Sequence, residues 1–195
     1  MRRGFDIIFS FVVLLLTIPV FLILALAIKL TSKGPIFFIQ TRVGRERRLF
    51  SMYKFRSMRV RDDDDSYLTT ARDNRITSIG SVMRRLKLDE LPQFLNVLKG
   101  DMAVVGYRPE VPEYVEKYEP WMNELFQYKP GLTDPASIEY RNEPELLAAS
   151  DDPERVYREE ILPAKLGISL EYMKERTILS DMNVILRTAR LIIGG

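Results

Sequence analysis

Two adjacent carboxylates, Asp89 and Glu90, stand in the run Leu88-Asp89-Glu90-Leu91-Pro92-Gln93. Asp89 falls where a helix N-cap belongs, with Pro92 in the first turn and Leu91, Phe94, Leu95 and Leu98 forming an apolar stripe. A carboxylate at a helix N-terminus is favoured in its ionised form by the positive end of the helix dipole. The same end attracts phosphate through its free backbone N–H groups. Asp89 is therefore a candidate nucleophile toward phosphorus, with Glu90 beside it as a candidate metal ligand. The plainer alternative is that Asp89 only caps the helix and Glu90 adds favourable first-turn charge.

Cations gather on both sides of that run. Lys54 and Arg56 follow a strand-like segment, Arg84 and Arg85 precede Asp89 by about a turn, and Arg108 lies in Gly106-Tyr107-Arg108-Pro109. Taken singly, each reads as a solvated surface charge. Taken together, Lys54, Arg56, Arg84 and Arg108 are candidate substrate-binding residues, converging with the carboxylates on a phosphate-bearing substrate with Mg²⁺ between them. The absence of histidine among 195 residues narrows the alternatives. No imidazole is available as base, relay or metal ligand. Serine–histidine and cysteine–histidine nucleophilic schemes and histidine-ligated zinc hydrolases are excluded. Zero cysteines exclude disulfides and thiolate metal sites as well. Chemistry must then run on carboxylates, cations, hydroxyls or a metal held by oxygen.

The elements that would position these groups begin with an anchor. Residues 5–28 are mostly apolar, interrupted by Asp6, Ser10, Thr17 and Pro19. A helix of that length would reach about 36 Å, enough for a bilayer core of about 30 Å and too long for a cleavable signal core. Basic residues flank both ends: Arg2 and Arg3 before it, Lys29, Lys33 and Arg42 after it. Cationic flanks favour the cytoplasm. A helix that enters the membrane, breaks at Ile18-Pro19 and returns would satisfy both flanks; a tilted, Pro-kinked spanning helix is the other reading. Beyond it, residues 36–40 and 49–55 read as strands of a small hairpin around a turn at 42–48. Residues 61–74 read as a polar surface loop, and 76–85 and 90–99 as helices, the second closed by Gly100. Further helices are expected over 112–127, 143–160 and 180–193. Trp121, Phe126, Tyr128 and the run 185–193 belong either to the core or to a membrane interface. The expected architecture is α+β and predominantly helical: a membrane helix over 1–30, then a compact cytoplasmic domain over 31–195. A net charge of +2 points to no polyanionic partner, so nucleic acid is not expected; a homo-oligomer stays open.

Residues 5–195 resemble the monotopic phosphoglycosyl transferases, the bacterial sugar transferase family that initiates glycan assembly on polyprenyl phosphate. The resemblance rests on ordered segments: residues 34–44, Tyr53-Lys54-Phe55-Arg56-Ser57-Met58, residues 75–80, the long run 88–102 leading to Arg108-Pro109, Pro130-Gly131-Leu132-Thr133, and Asp181 in the last helix. It implies that Asp89 is the nucleophile and Glu90 its Mg²⁺-associated partner. Lys54, Arg84, Arg108 and Asp181 match positions linked in the family to the active site. It also implies a re-entrant membrane helix broken at the proline, a place on the cytoplasmic face of the bacterial inner membrane, and a UDP-sugar and undecaprenyl phosphate as substrates.

The implied reaction has two displacements. Asp89 attacks the sugar-linked phosphorus and releases UMP; the polyprenyl phosphate then attacks the aspartyl phosphosugar. Neither nucleophile needs deprotonation, which suits a chain without histidine. Three positions depart from the family pattern: Ile18 where a serine usually precedes the proline, Tyr107 in place of the first proline of Pro-Arg-Pro, and Asp134-Pro135 after residues 130–133. Ile18 would weaken the hydrogen bonding at the break, Tyr107 would loosen Arg108 or reshape the nucleotide pocket, and Asp134 bears on donor choice. The competing functions are a catalytically inactive, membrane-tethered binder of phosphates or lipids and a bitopic scaffold.

Overall fold

The computed structural model describes residues 2–59 and 73–194. Its first element, α1 (Arg2–Thr31), is one helix of 30 residues with Pro19 inside it, about 45 Å long. It continues through Ile18 and Pro19. Proline's fixed φ is compatible with a helix, and the cost is the amide hydrogen that Leu15 O would otherwise accept. Two residues before Pro19, the Thr17 hydroxyl donates back to Val13 O at 2.7 Å. Of the whole helix only Asp6, Ser10, Leu24 and Ile28 are buried; its apolar middle, including Leu15, Leu16 and Leu22, is exposed. It is the one described helix long and apolar enough to cross a membrane.

Both ends of α1 pack on the same folded body. Near the start, Arg3 donates to Val97 O and Leu98 O, and Asp6 Oδ1 accepts the Val104 N–H at 3.1 Å. Near the end, Leu24 and Ile28 pack with Phe55 and Met83. Just past that end, Arg56 holds the two residues that follow the helix, donating to the carbonyls of Ser32 and Lys33 at 2.9 and 2.7 Å. A guanidinium supplies such donors in a fixed fork.

The hairpin forms as expected from its alternating composition, with longer strands. β1 (Phe37–Val43) pairs antiparallel with β2 (Leu49–Phe55), Phe38 opposite Lys54 and Arg42 opposite Phe50. Side chains alternate faces along a strand, so this register puts Lys54 and Arg42 on one face. α2 (Ser78–Arg85) is capped by Thr77, whose side chain accepts the Gly80 N–H at 3.0 Å. Gly80 is required by close approach: a Cβ there would stand 1.9 Å from Ser57 O. That contact lays α2 against the end of β2.

A 3-10 turn (Leu88–Glu90) then leads into α3 (Gln93–Lys99), which ends at Gly100 with φ 98°, a left-handed cap that glycine adopts without a Cβ clash. β3 (Ala103–Val105) pairs parallel with β4 (Gly131–Thr133). The outer edge of β3 is covered by side chains: Asp6 takes the Val104 N–H and Arg176 donates to Val105 O at 2.9 Å.

The helical remainder is more broken than its composition suggests. The helix expected over 112–127 divides into α4 (Pro112–Val115) and a 3-10 segment (Pro120–Gln127), because Pro120 can start a helical turn but not continue one. After α5 (Pro135–Glu139), the helix expected over 143–160 divides into α6 (Glu143–Ala148) and α7 (Pro153–Val156). Asp152 accepts the Arg155 N–H and so starts a new helix at Pro153. A π turn (Tyr157–Ile161) joins α7 to α8 (Leu162–Glu175), a helix the sequence reading did not resolve. α9 (Ile178–Gly194) closes the described chain. The loop expected over 61–74 lies outside the described residues except for its last two positions.

Three apolar clusters hold these pieces. The largest joins Val43, Tyr107, Leu125, Phe126 and the inner face of α8, with Trp121 and Tyr128 packed against it. Those aromatics are therefore core. The second gathers Met52, Val97, Met102 and Val184; the third gathers the end of α1 with Phe55 and Met83. Leu88 and Leu91 pack on the third cluster and Val97 in the second. The carboxylate-bearing turn is thereby anchored on both sides.

Candidate active site

The chain reverses at Lys87, whose φ of 53° is left-handed, a conformation that costs a residue with a Cβ about 1–2 kcal/mol. Asp89 and Glu90 follow in the tight turn. Asp89 is 6% exposed, and its Oδ1 has no hydrogen-bond partner among the described residues. It does not cap α3: that helix starts at Gln93 with Pro92 at the capping position and no side-chain cap bond. The capping reading of Asp89 is thus overturned. The turn's own bonds, Glu90 N–H to Lys87 O and Leu91 N–H to Leu88 O, both 3.3 Å, replace the expected first helical turn, since Pro92 brings no N–H to an intrahelical bond.

Glu90 is bound tightly. Lys54 Nζ approaches its Oε1 at 3.2 Å and Arg108 Nη2 the same oxygen at 3.3 Å. Burial alone would raise the Glu90 carboxyl, but Lys54 and Arg108 hold it well below the usual carboxylate range. Asp89 moves the opposite way. Burial, reinforced by the neighbouring Glu90 charge, raises its carboxyl against the pull of Lys54, Arg84 and Lys87. Burial likewise lowers the Lys54 ammonium, opposed by Glu90. The two carboxylates thus divide: Glu90 is a fixed anion, and Asp89 is a poorly solvated one with an open oxygen.

Arg84 is aimed by Ser57, which accepts its Nε–H at 2.9 Å. The loop carrying Arg108 is held from three directions. Asp134, 2% exposed, accepts the Arg108 N–H at 2.9 Å. Arg42 donates to Pro109 O at 3.0 Å and to Glu110 at 3.2 Å, and Glu110 in turn accepts the Tyr157 hydroxyl at 2.8 Å. Tyr107 O accepts the Gly131 N–H at 2.8 Å, and the Tyr107 ring is buried in the largest core cluster. Tyr107 therefore anchors the loop by packing, with its buried hydroxyl unpartnered among the described residues, and Asp134 ties down the arginine's backbone.

Of the residues singled out from the sequence, the structure brings Lys54, Arg84, Asp89, Glu90 and Arg108 together. Arg56 and Asp181 are spent elsewhere. Arg56 holds the two residues that follow α1, as described. Asp181 accepts from Tyr172 at 2.6 Å and from Arg176 at 3.1 Å, with Arg2 a further 3.6 Å away. Ile18 and Pro19 lie within α1. Missed in the sequence were Lys87, Arg42 and Gln93, which is 2% exposed and has an unpartnered Nε2. Arg42 was legible in principle: it shares strand parity with the partner of Lys54. Gln93 was legible only as a neighbour of Asp89 in the same run, and Lys87 carries no spacing signal.

Metal capacity is narrow. Among the described residues no group of three or more carboxylates could hold an ion, leaving the Asp89–Glu90 pair. Both cation contacts on Glu90 fall on Oε1, and Asp89 Oδ1 is open. Mg²⁺ needs no more protein than this, because it is commonly held by one or two carboxylates with waters and substrate phosphates completing six oxygens.

Comparison with known proteins agrees with that chemistry. The family model described as bacterial sugar transferase matches residues 1–195. A UDP-glucose:undecaprenyl-phosphate glucose-1-phosphate transferase of Escherichia coli (strain K12) is 36% identical over 193 residues, covering 96% of this chain and 39% of that protein. One of the same description from Xanthomonas campestris pv. campestris is 38% identical over 183 residues, 90% of this chain and 35% of the relative. The chain thus spans well under half of these two proteins. The exopolysaccharide production protein PSS of Rhizobium leguminosarum bv. phaseoli is 36% identical over 204 residues, 96% of this chain and 92% of that one. With a match along its whole length and an acidic pair ringed by cations at its centre, this chain belongs to the bacterial sugar transferase family.

Proposed function

We propose that this chain transfers a sugar phosphate from a UDP-sugar to a polyprenyl phosphate, undecaprenyl phosphate in a bacterium, with Asp89 as the nucleophile. The observation that carries it is the buried Asp89 Oδ1, which has no partner in the described chain although Lys54, Arg84 and Lys87 all act on its charge. A carboxylate kept out of water and out of hydrogen bonds is a stronger nucleophile than a solvated one. Its Oδ1 forms a bond to the phosphorus that bears the sugar, and the bond from that phosphorus to the bridging oxygen breaks. The electron pair leaves on UMP. A phosphate oxygen of the polyprenyl carrier then attacks the same phosphorus and displaces Asp89. No proton has to move in either displacement.

Lys54, Arg84 and Arg108 offset the negative charge of the transferring and leaving groups. Mg²⁺, held by Glu90 and phosphate oxygens, would neutralise further charge on the diphosphate. Glu90 also fixes Lys54 and Arg108 in place before substrate arrives, which removes reorganisation from the reaction.

The membrane arrangement we propose is re-entrant or in-plane. A helix that crosses a bilayer carries its ends to opposite sides, but Arg3 and Ile28 both pack on the same folded body. That supports both ends on the cytoplasmic face of the inner membrane, with the exposed apolar middle of α1 in the near leaflet. Because the chain has no cysteine, single cysteines at Arg2 and Lys33 can be labelled with an impermeant maleimide in oriented vesicles. Equal protection at both is expected; labelling of one end only would sink the re-entrant arrangement.

The reaction is tested by UMP release from protein in detergent with Mg²⁺, undecaprenyl phosphate and a panel of UDP-sugars, beside Asp89→Asn. Release abolished in the variant is expected. Equal release from Asp89→Asn removes the nucleophile, and silence of the wild type across the panel favours a binding role.

A further inference from the structure

Gln93 carries an amide that the fold leaves unused. It is 2% exposed, and its Nε2 has no hydrogen-bond partner among the described residues. Leaving a buried donor unmade costs about 1–3 kcal/mol, so such a group calls for an explanation, a role in a site among them. Gln93 stands four residues after Asp89, with Leu91 and Pro92 between them in right-handed helical conformation. The carboxylate and the amide thus lie little more than one turn apart along the same tight segment. Asp89 Oδ1 is the other unpartnered polar atom of that turn. No hydrogen bond joins the two.

We infer that Gln93 is a further catalytic residue, its side-chain amide donating to a non-bridging oxygen of the phosphoryl group that Asp89 attacks. The assignment rests on the transferase reading above. A carboxylate nucleophile needs an electrophilic centre at Oδ1, and the amide beside it needs an oxygen acceptor. A tetrahedral phosphoryl group offers both at neighbouring atoms. As the Asp89–phosphorus bond forms and the bond to UMP breaks, the amide keeps both of its protons and only shortens its hydrogen bond. A preorganised neutral donor of this kind is worth about 10²–10³-fold in kcat. It differs from Lys54 and Arg108 in being uncommitted: those cations are shared with Glu90, whereas the amide meets nothing until phosphate arrives.

The test compares UMP release and melting temperature for the wild type, Gln93→Met and Gln93→Glu. Methionine keeps the unbranched shape without the donor, and glutamate keeps the shape while placing an acceptor against phosphate. We expect kcat to fall about 10²-fold in Gln93→Met and further in Gln93→Glu, with KM for the UDP-sugar nearly unchanged in the first. The melting temperature of Gln93→Met should be equal to or above that of the wild type, because an unsatisfied buried amide has been removed. A Gln93→Met protein that keeps wild-type kcat, or one that loses activity only in step with its melting temperature, overturns the assignment while leaving Asp89 untouched. A wild type that releases no UMP from any donor overturns the transferase reading and this residue with it.

Discussion

Two buried aspartates, Asp89 and Asp181, sit among cations in different parts of the molecule, and they are treated in opposite ways. Asp181, at the start of α9, is saturated: Tyr172 donates to one oxygen, and Arg176 to the other with Arg2 nearby. Arg176 is itself spent on Val105 O, and Arg2 also reaches Arg176 O. This cluster ties α1, β3, α8 and α9 into one body. Asp89 has cations around it and no bond at Oδ1. A carboxylate whose two oxygens are both bonded within the chain has little left for a ligand, although Arg176 beside it keeps a buried Nε without a partner among the described residues. One with open atoms stores that capacity at a cost in stability. Composition makes the two look alike, and satisfaction separates them.

The contrast is broken most forcefully by neutralising each aspartate in turn. Asp89→Asn should lower UMP release by about 10⁶-fold, the scale for loss of a covalent nucleophile, while the fold is unharmed or stabilised. Asp181→Ala should do the reverse. It leaves Arg176, 9% exposed at its side chain, buried without its counter-charge, a loss of about 3–5 kcal/mol. Urea unfolding in detergent, with turnover counted per folded molecule, measures both at once. Should Asp181→Ala keep its stability and lose turnover, Asp181 would belong to the substrate-binding site, as the family resemblance implied.

Smaller changes sharpen the same contrast around Arg108. Asp134→Asn keeps an oxygen that can accept the Arg108 N–H and removes the charge, whereas Asp134→Ala removes both. The Arg108 side chain stays paired with Glu90 in either variant. The alanine variant should lose about tenfold in kcat, a few tenths to 1.5 kcal/mol of positioning being what one hydrogen bond contributes, and the asparagine variant should recover most of it. If both variants match the wild type in kcat, Asp134 serves α5, whose Ser137 N–H it also accepts, and not the arginine.

How far the sequence disclosed this site follows from which signals are local. The acidic pair, the hairpin and Gly100 were legible because turn chemistry, strand alternation and a helix stop are written in adjacent residues. Lys54, Arg84 and Arg108 were named from their order along the chain, and β2, α2 and the Tyr107–Arg108 loop do bring them to Glu90 or Asp89. Arg56 was misplaced because the same short segment serves two ends: Lys54 faces the site, and two residues on, Arg56 faces the end of α1. Alternation should put both on one face, but Arg56 lies past the last strand residue, where parity no longer holds. The partners of Asp181 were illegible for a different reason, since nothing in its own helix announces that Tyr172 and Arg176 will bond it. The long helices expected over 112–127 and 143–160 were broken by Pro120 and by the Asp152-Pro153 start; apolar periodicity outweighed the breakers in the reading, and the backbone obeyed the breakers.

The smallest effect lies in the pH dependence of stability, and it isolates Asp89 from Glu90. Asp89 is raised above its ordinary value of 3.8 in the folded chain. Its contribution to stability is fully present below the unfolded value and is lost as pH rises through the raised folded value, since ionising it then works against burial. Glu90 is depressed, so its contribution is present above its unfolded value of about 4.5 and is lost as pH falls toward the folded value. The two windows therefore separate: the Glu90 slope lies below about pH 4.5 and the Asp89 slope above about pH 3.8. Replacing Asp89 by asparagine deletes only the Asp89 slope. The melting-temperature difference between Asp89→Asn and the wild type should therefore open in favour of the variant as pH rises from 4, then level off above the folded value of Asp89. UMP release by the wild type should fall on the acid side along the same limb, because only the ionised carboxylate attacks. A difference that stays flat across this range would mean that Asp89 titrates as it does in the unfolded chain, with Lys54, Arg84 and Lys87 compensating its burial in full.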